Sequence, residues 1–191
     1  MDFQAVVRGR RSIRFYQSTP VEAALLLRLL EDASYAPSGI NLQPWFFLAL
    51  QSEAEKQKLY DILQQVIPAF QPTLQTRFAR NPHVIGETNA FLKRLGDAPV
   101  IVLVFALKPD YEDPHSIQQA IGAAIQNFCL SAYDAGLGTC WVTAPLTAGF
   151  GPMIHDAFAP EKGPLMALIT LGYPTHEPKA PPRREGRFEL R

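Results

Sequence analysis

The chain has 191 residues, enough for one domain with a substantial core, and its 18 basic and 18 acidic side chains leave a formal net charge of zero. Neutrality argues against a general nucleic-acid binder, which needs a basic face. With 47% apolar and only 19% charged residues, the composition is that of a globular protein with apolar surface for a partner to cover.

Met1-Asp2-Phe3-Gln4 lacks the charged-then-apolar pattern of a secretion signal. Asp2 to Arg8 reads as a short helix with Phe3, Val6 and Val7 on one side. Thr19-Pro20-Val21-Glu22 reads as a helix start, with Thr19 as N-cap, Pro20 in the first helical position and Glu22 completing a capping box. That helix runs to about Tyr35 on a stripe of Leu25, Leu26, Leu29 and Leu30, and Ala36-Pro37 ends it. Trp45 to Leu50 is a short aromatic-rich run expected as a buried strand. Ser52-Glu53-Ala54-Glu55 is a capping box opening a helix to about Val66.

Residues 67–97 carry Pro68, Pro72 and Pro82 and no firm period, so the expectation is helical fragments forming an irregular excursion or lid. Val100 to Leu107 is apolar throughout, as in a strand buried on both faces, and is far too short to span a bilayer. Lys108 to Pro114 reads as a polar turn. His115 to Ala135 is the longest helix, apolar well beyond a single stripe, with Gly136 as its natural terminator. Gly136-Leu137-Gly138 follows a helix, so it is not a dinucleotide fingerprint, which follows a strand. Thr139 to Thr143 reads as a strand, Leu146 to Phe158 as an interrupted helix, and Pro164 to Leu171 as a strand closed by Gly172-Tyr173-Pro174. The Pro- and Arg-rich residues 174–191 have no core of their own. Cys129 and Cys140, in apolar surroundings, read as reduced buried thiols, and the expectation is a soluble cytoplasmic protein. His83, His115, His155 and His176 share no metal-ligand spacing, and no Ser/His/Asp or Cys/His arrangement points to hydrolysis.

The chemistry concentrates in two stretches. Arg10-Arg11-Ser12-Ile13-Arg14 sets three guanidinium groups around one hydroxyl, and guanidinium matches phosphate and carboxylate bidentately. Such a cluster alone is ordinarily a solvated basic turn; as a phosphate clamp it needs a second half. Ala36-Pro37-Ser38-Gly39-Ile40-Asn41-Leu42-Gln43-Pro44-Trp45, one helix later, supplies a candidate. In this order the pair, R-x-S-x-R and then P-S-x-x-N-x-Q-P-W, resembles the nitroreductase family of flavin enzymes. The strand ending in Gly172-Tyr173-Pro174 has the family's signature too, and the resemblance covers most of the chain.

The resemblance implies one domain over 1–191 of α+β class. Its three α/β/α layers would enclose a mostly antiparallel sheet, in a homodimer that exchanges residues 174–191 as extended arms. It implies FMN at the subunit interface. Arg10, Arg11, Ser12 and Arg14 would hold the phosphate, ribityl chain and pyrimidine edge, with Arg14 at the pyrimidine, where a cation stabilises the charge of the reduced ring. Pro37, Ser38, Gly39 and Asn41 would come from the opposite subunit, the alternative being a helix-ending loop whose polar residues cap one another. Trp141, Val142 and Thr143 would place backbone beside the ring, the alternative for their side chains being a plain buried strand. Either Arg183 or Arg184 would make a second phosphate contact; a solvated tail is the alternative for each. Trp45 reads as core. The implied reaction takes hydride from NADH or NADPH and passes two electrons to a small acceptor, a nitroaromatic, quinone or related electrophile, by a ping-pong scheme. Two other readings stand beside it: a flavin storage or sensor protein, and a specialised member performing flavin cleavage, dehalogenation or azoline dehydrogenation.

Overall fold

The computed structural model describes residues 1–107 and 113–191; of the polar turn expected at Lys108–Pro114, residues 108–112 lie outside the described set. Four strands, β1 (Trp45–Leu50), β2 (Val100–Ala106), β3 (Gly138–Val142) and β4 (Leu165–Gly172), form one antiparallel sheet in the order β1-β2-β4-β3. Every side chain of β2 is buried. Val100, Val102 and Val104 face a layer containing α2 (Ala23–Ser34) and α5 (Pro114–Asp134). Ile101, Leu103 and Phe105 face α3 (Glu53–Arg77), α4 (His83–Arg94), α6 (Ala144–Thr147) and α7 (Gly151–Phe158). Period-two alternation of an all-apolar strand therefore yields the three-layer α+β arrangement expected from the sequence. The short α1 (Phe3–Gly9) packs on the C-terminal end of α5.

Asp113 caps α5, its carboxylate accepting from the N–H groups of His115 (3.0 Å) and Ser116 (3.2 Å), with Pro114 in the first turn. Gly136, at φ +78°, ends the helix, and the Leu137 N–H donates to the Ala132 carbonyl at 2.8 Å.

Two expectations are corrected. The second helix starts at Ala23 rather than at Pro20, with Glu22 as an N-cap that makes no side-chain cap bond. Val21 explains the delay. It is buried to 4% exposure in the same cluster as Leu26, at the two positions where a hydrophobic staple pins the entry of a helix. A core contact outside the helix thus displaces the Thr19 capping box. Residues 67–97 are also more regular than expected. α3 continues through Pro68 and Pro72 to Arg77, and α4 returns antiparallel to it. The prolines are tolerated because both are exposed and four residues apart, so the carbonyls they leave without a helical donor face water. Val66, Phe70 and Leu74, also at intervals of four, stay buried on the opposite side.

Leu74 tests this continuity. It is 1% exposed, beyond both prolines. Leu74→Ala is expected to cost about 2–5 kcal/mol in urea unfolding, the range for a buried leucine. A loss below about 0.5 kcal/mol, the scale of a surface change, would mean that the helix past Pro68 does not pack on the core.

Candidate functional site

The arginine stretch is a clamped extended segment. α1 stops at Gly9, where any Cβ would collide with the Tyr133 hydroxyl. Arg11 turns back on α1: its Nη1 donates to the carbonyls of Arg8 (2.7 Å) and Arg10 (2.8 Å). Those carbonyls belong to the helix end, where a cation is favourable. Ser12 then bridges β3 in parallel at Thr139, and the Ile13 N–H donates to the Thr139 carbonyl at 2.8 Å. Ile13 is buried against Gly138, where an added Cβ would lie 2.5 Å from Ile13 Cγ1. With Ile13 inward, extended alternation turns Ser12 and Arg14 to the other side. Arg14 is exposed, its guanidinium carbon 6.0 Å from the centre of the Phe91 ring on α4. Its carbonyl rests on Gly96, which has φ +68° and no room for a Cβ. A cleft of about 120 Å³ lies between this arm and α4, with Ser12, Arg14, Glu87, Phe91 and His176 in its walls.

The second stretch is a strained loop. Ile40, Asn41 and Gln43 have φ of +49°, +58° and +48°, and a β-branched residue in the left-handed region is unusual. Ser38 holds the loop closed: its Oγ accepts from the Gln43 N–H at 2.9 Å and its carbonyl accepts from the Asn41 N–H at 3.1 Å. Gln43 Nε2 donates to Asn41 Oδ1 at 3.2 Å. Ile40 is left 79% exposed at the tip. Pro37, Ser38 and Gly39 share a cleft of about 210 Å³ with Ser116, Gln119, Ala120 and Ala123 of α5. Ser116 and Gln119 did not stand out in the sequence; the signal there was the polar run His115, Ser116, Gln118 and Gln119 over the first two turns of a largely apolar helix.

Within one chain these two stretches are far apart, and α5 is the ruler. Gly39 abuts Ser116 near its N-terminus, and Gly9 abuts Tyr133 near its C-terminus. At 1.5 Å per residue the two contact points are about 25 Å apart. Trp141 lies between them on the edge strand β3, 41% exposed, against Gly122 in the middle of α5. Val142 is buried and Thr143 exposed at the start of α6. Arg183 and Arg184 lie in the exposed tail, which forms no helix or strand.

The model of the nitroreductase family matches residues 7–173. The chain belongs to the nitroreductase family. It is 28% identical over 180 residues to the Bacillus subtilis protein named "Putative NAD(P)H nitroreductase YfhC", covering 93% of this chain and 87% of that one. It is also 28% identical to iodotyrosine deiodinase 1 of Rattus norvegicus, over 94% of this chain but only 65% of that longer protein. Among solved structures it is similar to one from Desulfovibrio desulfuricans described as "a putative nitroreductase in complex with fmn". That likeness has 26% identity and a TM-score of 0.73, and covers 100% of this chain and 96% of the other.

In this nitroreductase-family chain the two thiols sit directly behind the arginine arm. Cys129 is on α5 and Cys140 on β3, both buried, and burial pushes both thiols above their ordinary range despite the nearby positive charges of Arg10 and Arg14. A raised folded pKa means that the native state keeps its protons after the unfolded chain has lost them. The associated stability is full below the unfolded thiol pKa, about 8.5, and declines as pH rises above it. At pH 8 a disulfide thiol reagent should therefore label neither cysteine rapidly in the native protein, and both after unfolding in guanidinium. Fast native labelling would show that the arm does not seal this region.

Proposed function

We propose that this chain is an FMN-dependent oxidoreductase that takes hydride from NADH or NADPH and reduces small conjugated electrophiles such as nitroaromatics or quinones. The observation that carries the reading is the clamped arm, which turns Ser12 and Arg14 to one side of an edge strand. FMN, when bound, supplies the two-electron hydride chemistry. The donor set fits it. Arg10 and Ser12 suit a phosphate and ribityl hydroxyls. Arg14 suits the pyrimidine edge, where its charge stabilises the anionic character of the reduced ring. Thr139 turns its carbonyl outward to Ile13, so strand alternation turns the backbone of Trp141 to the same edge, as a hydrogen-bonding partner for the ring. Arg11 serves this role least directly, because its guanidinium already caps α1.

The 25 Å separation along α5 argues that Ser38–Asn41 reach the flavin of a second copy rather than their own. Exposed Phe3 on α1, Leu27 on α2, Tyr35 at the end of α2 and Ile40 in the strained loop supply apolar surface for that partner. In this homodimer the tail 174–191, whose Phe188 and Leu190 are 94% and 97% exposed, crosses to the other subunit and brings Arg183 or Arg184 to the phosphate. The α3–α4 hairpin stands over Arg14 as the substrate-facing element. Its cleft with the arm supports the electron acceptor entering on that side.

The likeness to iodotyrosine deiodinase favours one second reading, reductive dehalogenation of an iodinated phenol at the same flavin. Iodide release from iodotyrosine with dithionite-reduced protein tests it.

The protein should purify yellow, release FMN on denaturation, and bleach within the mixing time when NADH or NADPH is added. FAD in place of FMN, or no flavin after reconstitution, would overturn the proposal. A storage protein would keep its colour when the nicotinamide is added.

The shared site has its own test. Arg14→Glu and Asn41→Asp should each abolish flavin binding in their homodimers. In a mixed dimer both defects fall in one site and neither in the other, as two-fold symmetry requires. Co-refolding the two variants should restore about one flavin per heterodimer. Heterodimers that stay empty would show that the two stretches do not meet across an interface.

A further inference from the structure

Tyr16 and Thr170 form a buried hydroxyl pair that the flavin chemistry does not itself require. Tyr16 is 9% and Thr170 0% exposed, and the two oxygens are 2.6 Å apart. The Cys140 N–H donates to Thr170 Oγ1 at 3.2 Å. Thr170's own proton then has two acceptors within reach, Tyr16 Oη at 2.6 Å and the Cys140 carbonyl at 3.5 Å, and distance selects the first. The Tyr16 proton points to the Ile13 carbonyl, also at 2.6 Å. The chain of donors runs in one direction, from strand β3 through strand β4 to the middle of the arginine stretch. Desolvation by burial raises the phenol above its ordinary range, so it stays a neutral donor.

We infer that Tyr16, held by Thr170, is a positioning residue that sets where Ser12 and Arg14 point, and so tunes flavin affinity and reduction. The inference rests on the flavin reading above. Ile13 carries no chemistry, yet both of its backbone groups are held: the N–H by Thr139 and the carbonyl by Tyr16. Its side chain is fixed between Gly138 and the Tyr16–Ala98 cluster. Because neighbours in an extended segment face the opposite side, fixing Ile13 fixes Ser12 and Arg14 as a pair. Arg14 is otherwise an exposed side chain with many rotamers, so the restraint lies in its backbone. Removing the Tyr16 hydroxyl frees the Ile13 carbonyl and leaves the Thr170 proton without its short acceptor. The segment can then rotate and carry Arg14 away from the pyrimidine edge.

The experiment measures FMN affinity of the apoprotein by fluorescence quenching, and reduction of the bound flavin against a redox dye. Tyr16→Phe and Thr170→Val should each weaken FMN binding about tenfold, the scale of one orphaned buried partner. Each should also lower the fraction of bound flavin reduced at a fixed dye poise, because Arg14's charge is no longer held at the ring. Thr170→Ser, which keeps the hydroxyl, should retain wild-type values. The double variant Tyr16→Phe/Thr170→Val should be no weaker than the poorer single, as for two members of one network. Ser52→Ala, which removes the cap of α3 and leaves the Tyr16–Thr170 pair intact, should lower Tm without changing affinity or dye equilibrium. If Tyr16→Phe does not fold, the contrast between Thr170→Val and Thr170→Ser decides. The inference is overturned if the wild type binds FMN while both hydroxyl deletions keep its affinity and dye equilibrium, if their losses add, or if Ser52→Ala weakens binding equally. A wild-type protein that binds no flavin overturns the flavin reading, and this inference with it.

Discussion

Strand β2 buries all seven of its side chains, and a strand apolar on both faces has to be covered twice. That requirement organises the molecule. Its valines call for one helical layer and its Ile101, Leu103 and Phe105 for another. α5 answers on the first side and α3 with its returning partner α4 on the second. Fully burying each large side chain contributes about 1.5–3 kcal/mol, so no local preference in the flanking segments outweighs the demand to cover this sheet. The helix through Pro68 and Pro72 is the clearest case: the lost helical bonds face water, while Phe70 and Leu74 fill the core.

The same architecture sets the site. Strand order β1-β2-β4-β3 leaves β3 as an edge, and the arginine arm lies along one end of it. The strained Ser38–Asn41 loop sits before β1, at the far end of α5. A helix about 30 Å long is a rigid spacer, so the distance between the halves is not adjustable by small motions. The loop holds its strained backbone while leaving Ile40 exposed at its tip.

The chain belongs to the nitroreductase family, and the arm presents Ser12 and Arg14 beside the edge strand β3. Beside that arm, α4 presents Phe91 to Arg14, and Gly96, two residues beyond the end of α4, packs on the Arg14 carbonyl. The element that would choose the acceptor thus touches the residue that would tune the cofactor.

Much of this was legible in the sequence. Strands β1 to β4, the long α5 with its Gly136 terminator, the Ser52 cap and the arginine stretch all follow from short-range rules, because alternation, capping and turn chemistry act within a few residues. The start of α2 and the regularity of 67–97 did not follow, because a buried Val21 just outside the helix overrode the Thr19 capping pattern and Leu74 is decided by core partners distant in sequence. Nor did the roles within the arm. Arg10, Arg11 and Arg14 are chemically identical in the sequence, yet Arg11 caps a helix, and Arg14 is aimed by a tyrosine whose partner is 154 residues away. Composition and local pattern determined the layers and the presence of a phosphate-matching cluster. Only the packed structure decided which guanidinium groups face outward, since that depends on a buried isoleucine, two hydroxyls and a glycine that no local rule connects.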